Sequence, residues 1–154
     1  FGSSDDDAGW TGSLAVDMMA IVHATQEAHP ALKKSQGSVV NISSISALHP
    51  AVRQPPYGAI KAAAIHYTIT QAAMYAKDRI RVNCIAPGSV DFPGSVWDRR
   101  RTDNPALYNG TLASIPFGRF GTPEEIANVA LFLASPLASW VTGQAIAVAG
   151  AQGL

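Results

Sequence analysis

Short apolar runs that alternate with helical segments constrain the fold of this chain more than any other feature. Three such runs have the β-branched or small apolar residues of buried strands and occupy residues 39–43, 80–86 and 145–148. Helical spacing of apolar residues precedes each run, over residues 10–29, 57–77 and 122–134. This alternation predicts an α/β fold with a parallel sheet and right-handed crossovers. Three strands are few for such a sheet, so we expect further strands on its N-terminal side.

Proline, glycine and capping residues predict where these elements end. Pro30 is expected to end the first helix, because proline cannot donate the helical hydrogen bond. Thr122, followed by Pro123 and by Glu125 at the third helical position, predicts the start of the last helix. Residues 89–120 are rich in proline, glycine and aromatic residues, and we expect them to form a lid segment with short helices. We treat residues 1–154 as one partial domain.

Charge and apolar length exclude two classes of partner. Only 14% of the residues are charged, and the 11 basic and 11 acidic residues cancel. A neutral chain has no general electrostatic affinity for nucleic acid or an anionic membrane, so we expect neither. The Arg99–Arg101 cluster is interpreted as a solvated loop face. The longest uncharged helical stretch, 62–76, is shorter than the roughly 20 residues that a membrane span needs.

The cysteine and histidine residues predict neither a disulfide bond nor a metal site. Cys84 is the single cysteine, which excludes an internal disulfide and indicates a reducing, cytoplasmic location. Its apolar surroundings in the sequence favour a core residue over a nucleophile. The histidines show no metal-ligand spacing, so no metal site is expected.

Tyr57 and Lys61 form the chemically most informative pair. Their spacing places a phenol and an ammonium group on one helix face, one turn apart. The positive charge favours phenolate over phenol, which suits the tyrosine to exchange a proton with an alcohol or carbonyl oxygen. Ser44 closes the first strand-like run thirteen residues upstream, and its hydroxyl can hold the same oxygen. The three residues predict a proton-transfer site.

These residues belong to a longer series of motifs that resembles the short-chain dehydrogenase/reductase family. The series reads NISS at 41–44, YGAIK at 57–61, IRVNCIAPG at 80–88, GRFGTPEEIA at 118–127 and FLASPLASWVTGQ at 132–144. A YxxxK pair alone is weak, but the order and spacing of all five motifs are specific. The last two motifs are similar to those of 3-oxoacyl-carrier-protein reductases. The resemblance implies the C-terminal portion of a Rossmann-type doubly wound parallel sheet, without the N-terminal nucleotide-binding βαβ units.

The resemblance also implies roles for the site residues. Tyr57 would be the general acid and base, Lys61 would sustain the phenolate and bind the nicotinamide ribose, and Ser44 would orient the substrate oxygen. Pro87, Gly88 and Val90 would lie along the nicotinamide of NAD or NADP. The reaction would transfer a hydride between that ring and a secondary alcohol or ketone.

Substrate and subunit contacts follow from the same resemblance. Ser46, His49 and Trp97 are candidate substrate contacts, with two alternatives: His49 could instead be a surface or core residue, and Trp97 could instead only pack the lid segment. The lid segment would cover a small-molecule substrate. Helices over residues 10–30 and 57–77 would join two or four copies of the chain into a homodimer or homotetramer.

The sequence departs from the family pattern at four places. No glycine-rich phosphate turn is present, so the chain is expected to lack the cofactor-binding half of the family. Asp17 stands where many members have a catalytic Asn; it could accept hydrogen bonds from water in a proton relay, or be a solvated carboxylate on the helix surface. Phe92 stands where a Thr often holds the carboxamide. Residues 148–151 replace a frequent Val-Asp-Gly-Gly turn.

Two other functions remain open on the sequence. The chain could be a non-catalytic fragment or degenerate member that acts through helix association, because the phosphate-binding half is missing. The Tyr57 and Lys61 pair would also serve a dehydratase or an epimerase. The lid segment offers both apolar groups and arginines, so neutral and anionic substrates are both compatible with it.

Overall fold

A three-stranded parallel sheet forms the centre of the molecule. The structure, a computed structural model, describes residues 4–153. Its strands are β1 (Ser38–Ile42), β2 (Arg81–Pro87) and β3 (Ala145–Val148), in the spatial order β1-β2-β3. Val39 pairs with Val82, and Ile85 pairs with Ile146. The predicted α/β class and parallel sheet are confirmed.

The first helical region extends further than the sequence predicted. It consists of α1 (Asp7–Ser13), a π-helical turn (Leu14–Met19) and α2 (Ala20–Ser35), with Pro30 inside α2. The prediction that Pro30 ends the helix was wrong.

Contacts at the end of α2 explain why the helix continues past the proline. The side chain of Leu32 packs on the core, and Asp78 binds both His29 and Lys33, at 3.1 and 2.9 Å. These contacts on both sides of Pro30 offset the one hydrogen bond that its ring removes. The helix ends instead where Gln36 adopts a left-handed conformation.

One face of the sheet is covered by α2 and α3 (Pro55–Tyr75). Asn41 on β1 donates hydrogen bonds to Thr68 and Gln71 of α3, at 2.9 and 3.0 Å, and all three residues are buried. Below this polar group, Ala72 packs with Val82 in the apolar core. The alanine-rich sequence of α3 therefore brings the helix close to the strands, as its small side chains predict.

The opposite face is covered by α6 (Pro123–Ala134). Ser38 Oγ donates a hydrogen bond to the carbonyl of Leu133 in α6, at 3.1 Å. Ser38 and Asn41 are an odd number of residues apart on one strand, so their side chains point to opposite faces. Helices therefore cover both faces, which is the doubly wound arrangement.

The lid segment, residues 89–120, contains two short helices, α4 (Val96–Asp103) and α5 (Pro105–Ala113). Ser95 caps α4 by accepting a hydrogen bond from the Asp98 N–H, at 2.9 Å. Phe120 is buried against the rings of Trp97 and Tyr108. This aromatic cluster joins the two short helices to the end of the segment.

Glu125 completes the capping box at the start of α6, and its carboxylate makes a pH-dependent contribution to the stability of the fold. Arg119 donates two hydrogen bonds to its carboxylate and the Thr122 N–H donates a third, which lowers its pKa from 4.5 to about 2. A lowered carboxyl pKa stabilises the fold above pH 4.5, and this stabilisation is lost as the pH falls towards 2. We expect Glu125→Gln to lower the Tm at pH 7, with a difference that shrinks below pH 4.5. A difference that stays constant down to pH 3 would contradict this role.

The structure describes the environment of Cys84, the lengths of the helices and the grouping of potential metal ligands. Cys84 is fully buried and unpaired, and burial raises the pKa of its thiol, which confirms the interpretation as a core residue. Within residues 4–153, no helix is long and apolar enough to cross a membrane. The same residues contain no cluster of three histidine, cysteine or acidic side chains that could hold a metal ion.

Candidate active site

A cleft of about 860 Å³ lies at the carboxyl edge of the sheet, and we call it the carboxyl-edge cleft. Predicted site residues from three parts of the chain line it: Ser44, Tyr57, Pro87, Gly88 and Val90. Parallel strands place their carboxyl ends at one edge, where α/β folds bind ligands. The structure thus brings together residues that are up to 46 positions apart in the sequence.

Tyr57 occupies the first turn of α3. Pro55 and Pro56 fill the first two positions of this helix, where a missing N–H costs no helical hydrogen bond. Gly58 follows, and a Cβ at this position would collide with Ala51 and lie 3.0 Å from the Ser46 carbonyl oxygen. Glycine therefore lets the loop after Ser44 lie directly on the start of α3, beside Tyr57.

Ser44 follows β1 and begins this loop. Its Oγ accepts a hydrogen bond from the backbone N–H of Ser46, at 3.1 Å. This bond uses a lone pair of the hydroxyl and leaves the hydroxyl proton for donation. Ser44 lines the cleft with a hydroxyl that is able to donate a hydrogen bond.

Lys61 does not line this cleft; it lines a separate groove together with Asp17 and Ile42, and as a whole residue it is only 8% exposed. Its Nζ is 5.5 Å from the centre of the Tyr57 ring, so the predicted phenol and ammonium pair shares one helix face. The same Nζ donates a hydrogen bond to the Ile42 carbonyl at 3.1 Å. The ammonium group is thereby tied to the end of β1.

Asp17 contacts Lys61 directly. Its Oδ1 is 3.1 Å from Lys61 Nζ, and both side chains are largely buried. Asp17 lies in the π-helical turn, a kind of irregularity that often occurs at functional sites. The water relay stays a prediction, and the structure shows an ion pair of Asp17 with Lys61.

The backbone of Val90 presents polar groups to the cleft. Gly121 accepts a hydrogen bond from the Asp91 N–H and donates one to the Ser89 carbonyl, both at 3.0 Å. In this parallel pairing Ser89 and Asp91 form the hydrogen bonds to Gly121. Val90 lies between them, so its own N–H and C=O point away from Gly121. Val90, which lines the cleft, therefore has a backbone donor and acceptor that are not used by the pairing with Gly121.

Gln152 is a cleft residue that the sequence did not predict. Its Oε1 accepts a hydrogen bond from the Ser89 N–H at 2.8 Å, and its Nε2 donates to Ser89 Oγ at 3.1 Å. These bonds fasten the Gly88-Ser89 turn to the C-terminal residues. No motif in the sequence includes Gln152, so the sequence gave no signal for this contact.

Gly88 allows that close approach, which gives a testable consequence. A Cβ at this position would lie 2.8 Å from both Cα and Cβ of Ala149 and 3.0 Å from Gln152 Oε1. We expect Gly88→Ala to destabilise the protein by about 2 kcal/mol, because backbone has to move. Gly110→Ala is the matched control, since nothing lies within 4 Å of its Cβ position. Equal unfolding free energies for the two variants in urea would contradict the packing argument.

The candidate substrate residues divide between two places. Ser46 and Trp97 line the carboxyl-edge cleft. His49 does not; it lines a neighbouring groove, and its ring packs closely against Gly153. Phe92, at the position where the family often has a Thr, also lines the cleft and is 47% exposed.

Comparison with known proteins identifies the family. Residues 3–151 match the family model described as enoyl-(acyl carrier protein) reductase, which represents short-chain dehydrogenases/reductases. The chain belongs to the short-chain dehydrogenase/reductase family. It is 39% identical over 142 residues to 3-oxoacyl-[acyl-carrier-protein] reductase FabG of Thermotoga maritima, a match that covers 92% of this chain and 56% of the relative.

Solved structures of the family superpose closely on this chain. A 3-oxoacyl-[acyl-carrier protein] reductase of Brucella melitensis with bound NAD has a TM-score of 0.85 and 29% identity, over 97% of this chain and 53% of the other. The NADPH-bound short chain oxidoreductase of Pseudomonas aeruginosa PAO1 has a TM-score of 0.84 and 30% identity, over 95% and 58%. The chain therefore spans about half the length of the relatives that it matches, and the predicted family and Rossmann-type fold are confirmed.

Proposed function

We propose that the protein of which this chain forms part is an NAD- or NADP-dependent oxidoreductase that transfers a hydride between the nicotinamide and a secondary alcohol or ketone. One observation carries the proposal: Ser44 and Tyr57 line one cleft, and Lys61 Nζ lies 5.5 Å from the centre of the Tyr57 ring. The names of the relatives, which are reductases and dehydrogenases, support the same class of reaction.

Each side chain of this group has a distinct task in the proposed reaction. Tyr57 passes a proton to or from the substrate oxygen, and Ser44 donates a hydrogen bond to that oxygen. Lys61 keeps a positive charge next to the phenol. Asp17 and the Ile42 carbonyl hold that ammonium in place. The proton and the oxygen are thus handled by this chain.

The residues at the carboxyl edge fit the nicotinamide end of a dinucleotide. Pro87 and Gly88 line the cleft beside Tyr57, and Val90 offers a backbone donor and acceptor to the carboxamide. The bound cofactor supplies or accepts the hydride. Since the sequence has no glycine-rich phosphate turn, these residues would hold only the nicotinamide end.

The proposal is tested by the absorbance of NADH and NADPH during incubation of the full-length protein with a panel of secondary alcohols and ketones. We expect net oxidation of one of the reduced cofactors by a ketone. A folded protein that binds the cofactor but never changes its redox state with any substrate would favour a dehydratase or an epimerase. A protein that binds neither cofactor would support the non-catalytic alternative.

We also propose that the chain assembles as a homodimer or homotetramer through α3 and the first helical region. Ala59, Ala63 and His66 form part of an exposed row along α3, and small side chains allow another helix to approach closely.

We expect Ala63→Glu to dissociate the assembly, because it would put a carboxylate inside the contact. Ala127→Glu, on the exposed side of α6, is the control. Light scattering of both variants measures the mass, and an unchanged mass for Ala63→Glu would contradict this contact.

A cytoplasmic location is part of the same proposal. It is supported by the single cysteine, Cys84, whose thiol is buried and unpaired.

A further inference from the structure

The lining of the carboxyl-edge cleft is basic. Three arginines line it: Arg53 from the loop before α3, and Arg99 and Arg100 from α4. No aspartate or glutamate is among the described residues that line the cleft. The chain as a whole has no net charge, so positive charge is concentrated at this site.

Two of the three acidic side chains of the lid segment bind other groups, and the third, Asp103, is exposed and does not line the cleft. Asp91 binds Arg101 at 2.6 Å and accepts a hydrogen bond from the Tyr108 hydroxyl at 3.1 Å. Asp98 accepts a hydrogen bond from the Gly94 N–H at 2.8 Å. The sequence treated Arg99–Arg101 as one solvated face, but the structure divides the cluster: Arg101 is paired outside the cleft, and its two neighbours face the cleft.

The cleft arginines have no acidic partner of their own in the described part of the chain. Across residues 4–153, no carboxylate lies within 4.0 Å of the guanidinium groups of Arg53, Arg99 or Arg100. Three like charges at one cleft repel each other, and low-dielectric walls strengthen their combined field. A bound anion would relieve this repulsion.

Two of the three arginines are held in place. The guanidinium of Arg100 lies 5.1 Å from the centre of the Trp97 ring, and that ring packs on the buried Phe120. Arg99 Nη1 donates a hydrogen bond to the Gly94 carbonyl at 2.9 Å. Such restraint reduces the entropy that is lost when a ligand binds.

We infer that the substrate carries an oxyanion, a carboxylate, phosphate or sulfonate, which these arginines bind while its reacting oxygen lies at Ser44 and Tyr57. The inference rests on the proposed function and adds the substrate class to it. The planar fork of a guanidinium group matches the two oxygens of such an anion. The cleft is lined both by Ser44 and Tyr57 and by the arginines, so a ligand that fills the cleft contacts both groups.

The inference is tested with a pair of probes that differ in charge: 4-oxopentanoate and its neutral amide, 4-oxopentanamide. Both are titrated by calorimetry into the full-length protein with bound nicotinamide cofactor, and kcat/KM is measured for each. We expect the anion to bind about tenfold more tightly than the amide, with a preference that weakens as salt is added. The calorimetric readout requires no turnover, so it tests this inference even if the proposed reaction fails.

Variants that neutralise single arginines show which of them cause the tighter binding of the anion than of the amide. Arg53→Gln and Arg100→Gln are each expected to reduce the preference for the anion roughly threefold, and Arg100→Lys should retain more of it than Arg100→Gln. Arg79→Gln is the matched control, because Arg79 lies in the turn before β2, at the opposite end of the strands. It should leave the preference unchanged.

Two results would overturn the inference. The first is equal affinity for the anion and the amide. The second is a set of arginine variants that raise the KM for NADH or NADPH while the anion-to-amide ratio stays unchanged, since the arginines would then serve the cofactor phosphates.

Discussion

We expect Tyr57→Phe in the full-length protein to reduce kcat roughly a thousandfold, because positioned acid–base catalysis contributes about that factor. The substitution removes the one proton that Tyr57 can exchange and keeps the ring that packs near Lys61 Nζ. The fold should therefore be preserved. Turnover of NADH or NADPH with the best ketone measures the loss, and thermal unfolding verifies that the variant is folded.

Tyr67→Phe is the matched control for this experiment. It makes the same chemical change on the same helix, ten residues further along and outside the cleft lining. Its kcat should stay close to that of the unsubstituted protein. If Tyr57→Phe retained more than a tenth of the activity, Tyr57 would not be the proton-transfer group, and the proposed mechanism would be wrong.

Local patterns predicted the elements of the fold well. The strand at 145–148 has the predicted bounds, because turns enclose its short apolar run on both sides. The start of α6 was predicted from Thr122, Pro123 and Glu125, whose capping interaction is entirely local. The error at Pro30 has the opposite cause. His29 and Lys33 bind Asp78, up to 49 residues away, and no local pattern contains that contact.

The candidate site shows the same division between local and distant contacts. Ser44 and Tyr57 could be placed in one cleft because both follow the carboxyl edge of a parallel strand in a recognisable motif. Gln152 could not be placed, since its contact with Ser89 spans 63 residues. The direct contact of Asp17 with Lys61 also escaped prediction, because it depends on a π-helical turn that the spacing of apolar residues does not reveal.

The Asp17–Lys61 ion pair leads to the second large expected effect. The two side chains are only 15% and 11% exposed, so removal of either one leaves a charge in a largely buried place. We expect Asp17→Leu and Lys61→Met each to lower the free energy of unfolding by about 3 kcal/mol. Lys61→Met should cost more than Asp17→Leu, because it also removes the hydrogen bond to the Ile42 carbonyl.

The double variant, Asp17→Leu with Lys61→Met, separates stability from catalysis. It leaves no unpaired charge, so its unfolding free energy in urea should be closer to that of the unsubstituted protein than either single variant is. Single-variant effects that simply add would mean that the two groups do not interact. Activity should follow a different order: the double variant should be stable yet as inactive as Lys61→Met, because the ammonium group next to Tyr57 is missing from both. Recovery of activity together with stability would show instead that Lys61 serves only the fold.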